Sequence, residues 1–115
     1  MVRLLLLALA LLLAGCDSRP QFGNSDISAA GYATDFALTD HNGKPRTMAD
    51  FRGKAVVIFF GYTQCPDVCP TTMTGMAEAM KLLGAEAAKV QVLFVTVDPE
   101  RDTPQLLAQY VPVFN

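Results

Sequence analysis

The chain has 115 residues, 9 Lys and Arg against 11 Asp and Glu, a formal net charge of −2, and no Trp. That balance lacks the basic surplus that nucleic-acid binding requires, and no charge run or internal repeat appears. The hydrophobic fraction of 51% is inflated by the first residues, and the remainder is slightly acidic and large enough for one small domain.

Residues 1–15 read as a leader rather than as part of the fold. Arg3 supplies a positive start, and Leu4 to Leu13 is a Leu/Ala run. The run is shorter than the roughly 20 apolar residues a spanning helix needs, and it suits the apolar core of a secretory signal. Leu13-Ala14-Gly15-Cys16 resembles a bacterial lipoprotein signal, with Cys16 as the lipidated first residue of the mature chain. The alternative is an ordinary secretory leader with a chance cysteine. Asp17 resembles the inner-membrane retention signal of some Gram-negative lipoproteins. Together these features predict a protein on the periplasmic side of the bacterial inner membrane, held by acyl chains in a compartment that permits disulfides. With Cys16 used by the lipid, the 3 cysteines leave one pair.

From Cys16 to about residue 32 the sequence is polar, small and aperiodic, and it reads as a linker. A domain is predicted over residues 33–115. Phe36 to Thr39 begins an alternating strand. Asn42-Gly43 signals a hairpin turn whose central positions need positive φ, and Pro45 to Met48 is the return strand. Thr47 is placed to cap a short helical turn through Phe51 that Gly53 ends. Ala55 to Gly61 is a continuous apolar run suited to a strand covered on both faces. Thr71 to about Leu83 has helical spacing, with Gly84 as its stop. Val90 to Val97 is a second buried strand. Thr103 and Pro104 form an N-cap and first helical position for a last helix through Leu106, Leu107 and Tyr110. The chain then stops at Asn115 in an apolar stretch with no polar finish, which predicts a truncated sequence. The order hairpin, strand, helix, strand, helix implies an α/β fold with a right-handed parallel crossover. Functional groups of such folds gather at the carboxyl ends of the strands.

Cys65 and Cys69 fall at that end, in Gly61-Tyr62-Thr63-Gln64-Cys65-Pro66-Asp67-Val68-Cys69-Pro70. On a helix, residues four apart share a face with Cβ atoms about 5–6 Å apart. That suits two thiolates on one metal ion and lies near the range in which a disulfide closes. The start of the following helix favours thiolates in either case. Soft thiolates select Cu(I) and zinc, but a closed zinc site wants four ligands and only one histidine, His41, is present. A purely structural disulfide is the plain alternative. His41 falls on the hairpin turn and reads as an exposed bystander. Met73, Met76 and Met80 lie at helical spacing and read as a core-facing stripe rather than a copper track. Asp67 either tunes the thiols or faces water. Asp98 to Pro104 is a polar, proline-bounded loop, read as a mainly structural cap with a surface Arg–Asp pair, although it borders the cysteines.

The segment Val56 to Pro70 resembles the copper-site motif of the Sco/SenC family, and Val95 to Pro104, with its Asp-Pro-Glu-Arg-Asp-Thr-Pro, resembles a second signature of that family. The hairpin and Phe51-Arg52-Gly53-Lys54 fit the same pattern. The resemblance implies a thioredoxin-like fold, incomplete at the C-terminus, in a copper chaperone for the copper centre of cytochrome c oxidase. It implies that Cys65 and Cys69 bind one copper ion and that a third ligand, a histidine, lies beyond residue 115; the spacing and layout separately make Cys65 and Cys69 a candidate redox disulfide. Gln64 stands where relatives often carry histidine. The implied partners are the copper-bearing oxidase subunit, other copper chaperones and the membrane.

Two enzymatic alternatives remain. A thiol–disulfide oxidoreductase fits the layout, although such enzymes usually place two residues between the cysteines, often after a tryptophan. A peroxiredoxin-type peroxidase is suggested only by the hairpin-and-strand opening. As given, the chain is predicted to leave a sheet edge and apolar surface uncovered, and to be unstable or aggregation-prone alone.

Overall fold

The computed structural model describes residues 23–32 and 34–114. The leader, Cys16 and Asp17 lie outside the described residues. The chain divides into two units, residues 1–32 and 33–115. In the first, the described residues are nearly all exposed, and Asp26 accepts hydrogen bonds from the amide and hydroxyl of Ser28.

The second unit opens with a hairpin. Strand β1 (Ala37–Thr39) pairs antiparallel with β2 (Pro45–Thr47). The turn differs from the sequence expectation. Its closing bond runs from the Gly43 amide to the Asp40 carbonyl, so His41 and Asn42 are the central residues, and Gly43 follows at φ 76°. This is the three-residue loop in which a glycine takes the left-handed position after the turn. Asp40 explains the choice. Its carboxylate accepts from the amides of Asn42 and Lys44 and from Arg46 Nε, which locks the loop into one register. The Lys44 amide and the Arg46 guanidinium hold the Asp40 carboxyl down to about 2. A single 3-10 turn, Met48–Phe51, follows, with the Thr47 amide bonded to the Asp50 side chain.

Strand β3 (Ala55–Gly61) and strand β4 (Val90–Thr96) pair in parallel over seven residues, from Ala55 opposite Val90 to Gly61 opposite Thr96. Helix α1 (Val68–Leu83) makes the crossover between them. It starts three residues before the expected Thr71, so Cys69 lies inside its first turn. Pro70 does not prevent this, because first-turn amides have no intrahelical partner to lose. Gly84, at φ 54°, ends the helix, and a 3-10 segment (Gly84–Lys89) leads into β4. Helix α2 (Pro104–Tyr110) is capped by Thr103, whose hydroxyl accepts from the Leu106 amide, and it runs on into a 3-10 turn, Val111–Phe114.

The core lies between α1, one face of the β3–β4 pair and the end of α2. Met73 is buried, and Phe59, Phe94, Tyr110 and Phe114 form a run of tilted and edge-on ring contacts at 5.2–5.9 Å. Pairs of this kind add about 0.5–1.5 kcal/mol each beyond their area. The expectation that β3 is covered on both faces does not hold among the described residues. By strand alternation Ile58 and Phe60 point away from Phe59, and they are 37% and 64% exposed. On that second face Leu93, opposite Ile58, is only half-buried and borders a groove shared with Phe36, Leu38 and Leu107, so the cover is partial.

Candidate metal and thiol site

The site is assembled by the parallel register. Because Gly61 lies opposite Thr96, the loops that leave β3 and β4 emerge side by side at the carboxyl end. The Val97 amide donates to the Gly61 carbonyl at 2.9 Å, and extends the ladder by one bond. The β3 loop then turns tightly, with the Cys65 amide bonded to the Tyr62 carbonyl, and delivers Cys65 beneath the start of α1.

Both sequence-predicted cysteines are brought together. Cys65 is 8% and Cys69 4% exposed, and both are free thiols. The Cys69 amide donates to Cys65 Sγ at 3.4 Å. Cys65 sulfur thus takes one of the helix-terminal amides that would otherwise lack a partner, at the positive end of the α1 dipole. The Cys69 thiol donates toward Cys65, and this holds the Cys65 thiol below its ordinary value against the opposing effect of burial. The amides of Cys69 and Asp67 and the Tyr62 hydroxyl add to the effect. Cys69 is pushed up because it is the donor in the same contact, and burial adds to this. The pair therefore gives up one proton readily and the second reluctantly. A soft cation bound to both sulfurs would drive off the second.

Gly61 makes room for this arrangement. A Cβ there would lie 2.9 Å from the ring edges of both Phe59 and Phe94 and 3.2 Å from Cys69 Sγ. Cys69 sulfur sits against bare backbone, walled by two aromatic rings.

The second loop contributes Asp102, which is 3% exposed. Its carboxylate accepts from the Thr63 amide (3.0 Å), the Thr63 hydroxyl (2.6 Å) and the Thr96 hydroxyl (2.6 Å). Burial alone would raise its carboxyl, but the bonds from Thr63 and Thr96 hold it below the ordinary value. Asp102 thereby clasps the loop just upstream of Cys65 to the end of β4. The neighbouring Arg101–Asp98 pair, at 2.5 Å with Arg101 mostly exposed, is the surface pair expected from the sequence. Such pairs contribute little.

The remaining candidates do not join the cysteines. His41 is exposed on the hairpin loop and lines a groove beside β4 that contains neither cysteine. Asp67 is exposed at the N-cap of α1, 3.5 Å from the Thr71 hydroxyl. Met73, Met76 and Met80 line a groove of about 460 Å³ between α1 and β4, with Phe114 at one end. Among the described residues no group of three His, Cys, Asp or Glu forms a closed metal site. Sequence reasoning missed Gly61 and Asp102. Only Gly61 carried a local signal, a glycine directly after an aromatic run at a strand end.

Comparison with known proteins completes the description. The family model described as SCO1/SenC matches residues 24–115. The chain is 48% identical over 83 residues to the mitochondrial SCO2 homolog of Bos taurus, which covers 70% of this chain and 31% of that protein. Bradyrhizobium japonicum ScoI, solved with copper bound, superposes with a TM-score of 0.64 at 49% identity, covering 70% of this chain and 51% of that one. BsSco, a member of the Sco family of cytochrome c oxidase assembly proteins in which a disulfide switch was identified, superposes with a TM-score of 0.58 at 28% identity, covering 69% of this chain and 46% of that one. The chain thus spans about half the length of these solved relatives and about a third of the curated one. The α/β core has the thioredoxin-like fold expected from the sequence.

Proposed function

The chain belongs to the SCO1/SenC family, and from that premise we propose that it is a copper-binding chaperone whose cargo is held by Cys65 and Cys69. The observation that carries this reading is the pair of buried free thiols on one helix start, with an amide already directed at Cys65 sulfur. Two soft donors in a mostly apolar setting fit Cu(I), which accepts two or three such ligands, and not a closed four-ligand zinc site. Binding of Cu(I) by two thiols releases two protons and leaves the sulfur–copper unit with one net negative charge. Transfer then needs only ligand exchange, in which an incoming donor replaces one cysteine at a time.

The wider reading follows the family. A histidine outside this chain completes the ligand set, and Cys16 carries the lipid that holds the domain at the periplasmic face of the inner membrane. The copper is passed to the copper-bearing subunit of cytochrome c oxidase, and other copper chaperones stand upstream. Residues 16–32 serve as the tether and 33–115 as the copper-carrying domain.

An anaerobic Cu(I) titration against a competing chelator tests the core of this reading, on the reduced chain and on its Cys65→Ser/Cys69→Ser variant. One copper per chain should bind to the parent and none to the variant. Equal retention by a folded variant would sink the proposal.

A second reading rests on the lowered Cys65 thiol beside a proton-donating Cys69. Such a pair suits thiol–disulfide exchange, in which Cys65 thiolate attacks a partner disulfide and Cys69 resolves the mixed disulfide. The two roles are compatible, since the thiols must be reduced before copper enters. Failure to exchange with a model disulfide would remove this second role and leave the first.

A further inference from the structure

Tyr110 closes helix α2, and its hydroxyl oxygen is buried with no hydrogen-bond partner among the described residues. Buried polar groups without partners are few in native proteins, and each calls for a reason. The ring is held firmly, between Phe94 at a centroid distance of 5.6 Å and Phe114 at 5.2 Å. Phe94 in turn presses its ring edge against Gly61, at the spot where Cys69 Sγ packs. The chain of contacts therefore leads from the tyrosine to the cysteine pair. The natural competitor, Asp102, already accepts three hydrogen bonds from Thr63 and Thr96 and makes none to Tyr110. A phenol hydroxyl is a donor as well as an acceptor, so this group is free to donate.

A donor with no acceptor makes sense if the acceptor appears only when cargo does. As thiols, the two sulfurs are neutral and weak acceptors. As copper thiolates they share one net negative charge in a place shielded from water, and a hydrogen bond to a charged group is stronger than one to a neutral group. We propose that the Tyr110 hydroxyl is a positioning residue that donates to Cys69 sulfur in the metal-loaded site, and so couples loading to the end of α2. This rests on the copper reading above, and it adds a named group that favours the loaded state over the empty one.

The test compares the chain with Tyr110→Phe, which keeps the ring and its stacking, and with Phe114→Leu, which disturbs the packing but keeps the hydroxyl. Without metal, Tyr110→Phe should melt at the same temperature as the parent or higher, because an unpartnered polar atom has been removed. Its Cu(I) affinity should fall on the order of tenfold, the usual effect of losing one hydrogen bond to a charged group. The sulfur-to-copper charge-transfer band of the Cu(II)-loaded form should move to lower energy, since the sulfur lone pairs lose a stabilising donor. Phe114→Leu should leave that band in place. Cd(II), which thiolates bind whatever the natural cargo, is the second probe. Unchanged affinity and unchanged band in Tyr110→Phe with both metals would overturn the proposal, as would a lowered metal-free melting temperature matched by Phe114→Leu. A parent that takes Cd(II) with Tyr110 dependence but refuses copper would overturn the copper reading and leave the hydroxyl's role standing. A parent that takes neither metal would overturn both.

Discussion

At the scale of single residues, the cysteine pair depends on side chains other than the cysteines themselves. Asp102 is the clearest case, because one carboxylate satisfies three donors from two loops. Asp102→Asn keeps the shape but turns one acceptor oxygen into an amide nitrogen, so at least one buried donor loses its partner. Urea unfolding should show a loss of about 1–3 kcal/mol. The pH dependence has a definite sign. The Asp102 carboxyl is held below its unfolded value, so its contribution is complete above the ordinary carboxylate range and is lost as pH falls through the lowered value. The parent's stability should therefore drop more steeply than the variant's on the acid side. Parallel acid profiles would show that the clasp carries no such linkage. The same threonine contacts explain why the loop with two prolines is both a structural cap and a border of the site.

Helix α1 sets the geometry at the next scale up. It begins early enough to place Cys69 in its first turn and to give Cys65 sulfur an amide, and its Met face covers β4. Its weakest interior position is Gly75, which is exposed and whose added Cβ would meet nothing within 4 Å. Gly in a helix interior costs about 0.5–1 kcal/mol relative to Ala through lost backbone entropy. Gly75→Ala should raise stability by that amount in a thermal melt, and leave Cu(I) affinity where it was. A matched change in affinity would mean that the helix frays toward the cysteines, and that its start is not an independent unit.

For the molecule as a whole, the distribution of apolar surface is uneven. Strand β3 leaves Val57, Ile58 and Phe60 exposed, while Phe59 and Phe94 pack into the ring run. Both strands also offer edges, since each pairs only with the other among the described residues. An open edge beside exposed apolar residues is a template for association. The 115-residue chain should show concentration-dependent light scattering and dye binding. Phe60→Thr, which keeps a strand-forming residue, should reduce both and leave Cu(I) binding intact. Scattering that does not change would place the sticky surface elsewhere.

Much of this was legible in the chain. The apolar run ending at Gly61, the helical spacing after the cysteine motif and the Thr103–Pro104 start are local patterns. Local pattern alone was enough to put Cys65 and Cys69 at the carboxyl end of a parallel pair. The family motifs around Cys65 and from Val95 to Pro104 then pointed to copper. What only the tertiary structure decided were contacts that depend on register. Thr63 and Asp102 are 39 residues apart and meet only because Gly61 falls opposite Thr96. Cys69 sulfur fits only because Gly61 has no side chain where two aromatic rings converge. The unpartnered hydroxyl of Tyr110 is invisible in a helix that reads simply as apolar. Full covering of β3 on both faces was one expectation that failed, and for the same physical reason. An apolar run tells that a strand can be buried, whereas burial itself depends on what the rest of the fold brings against it.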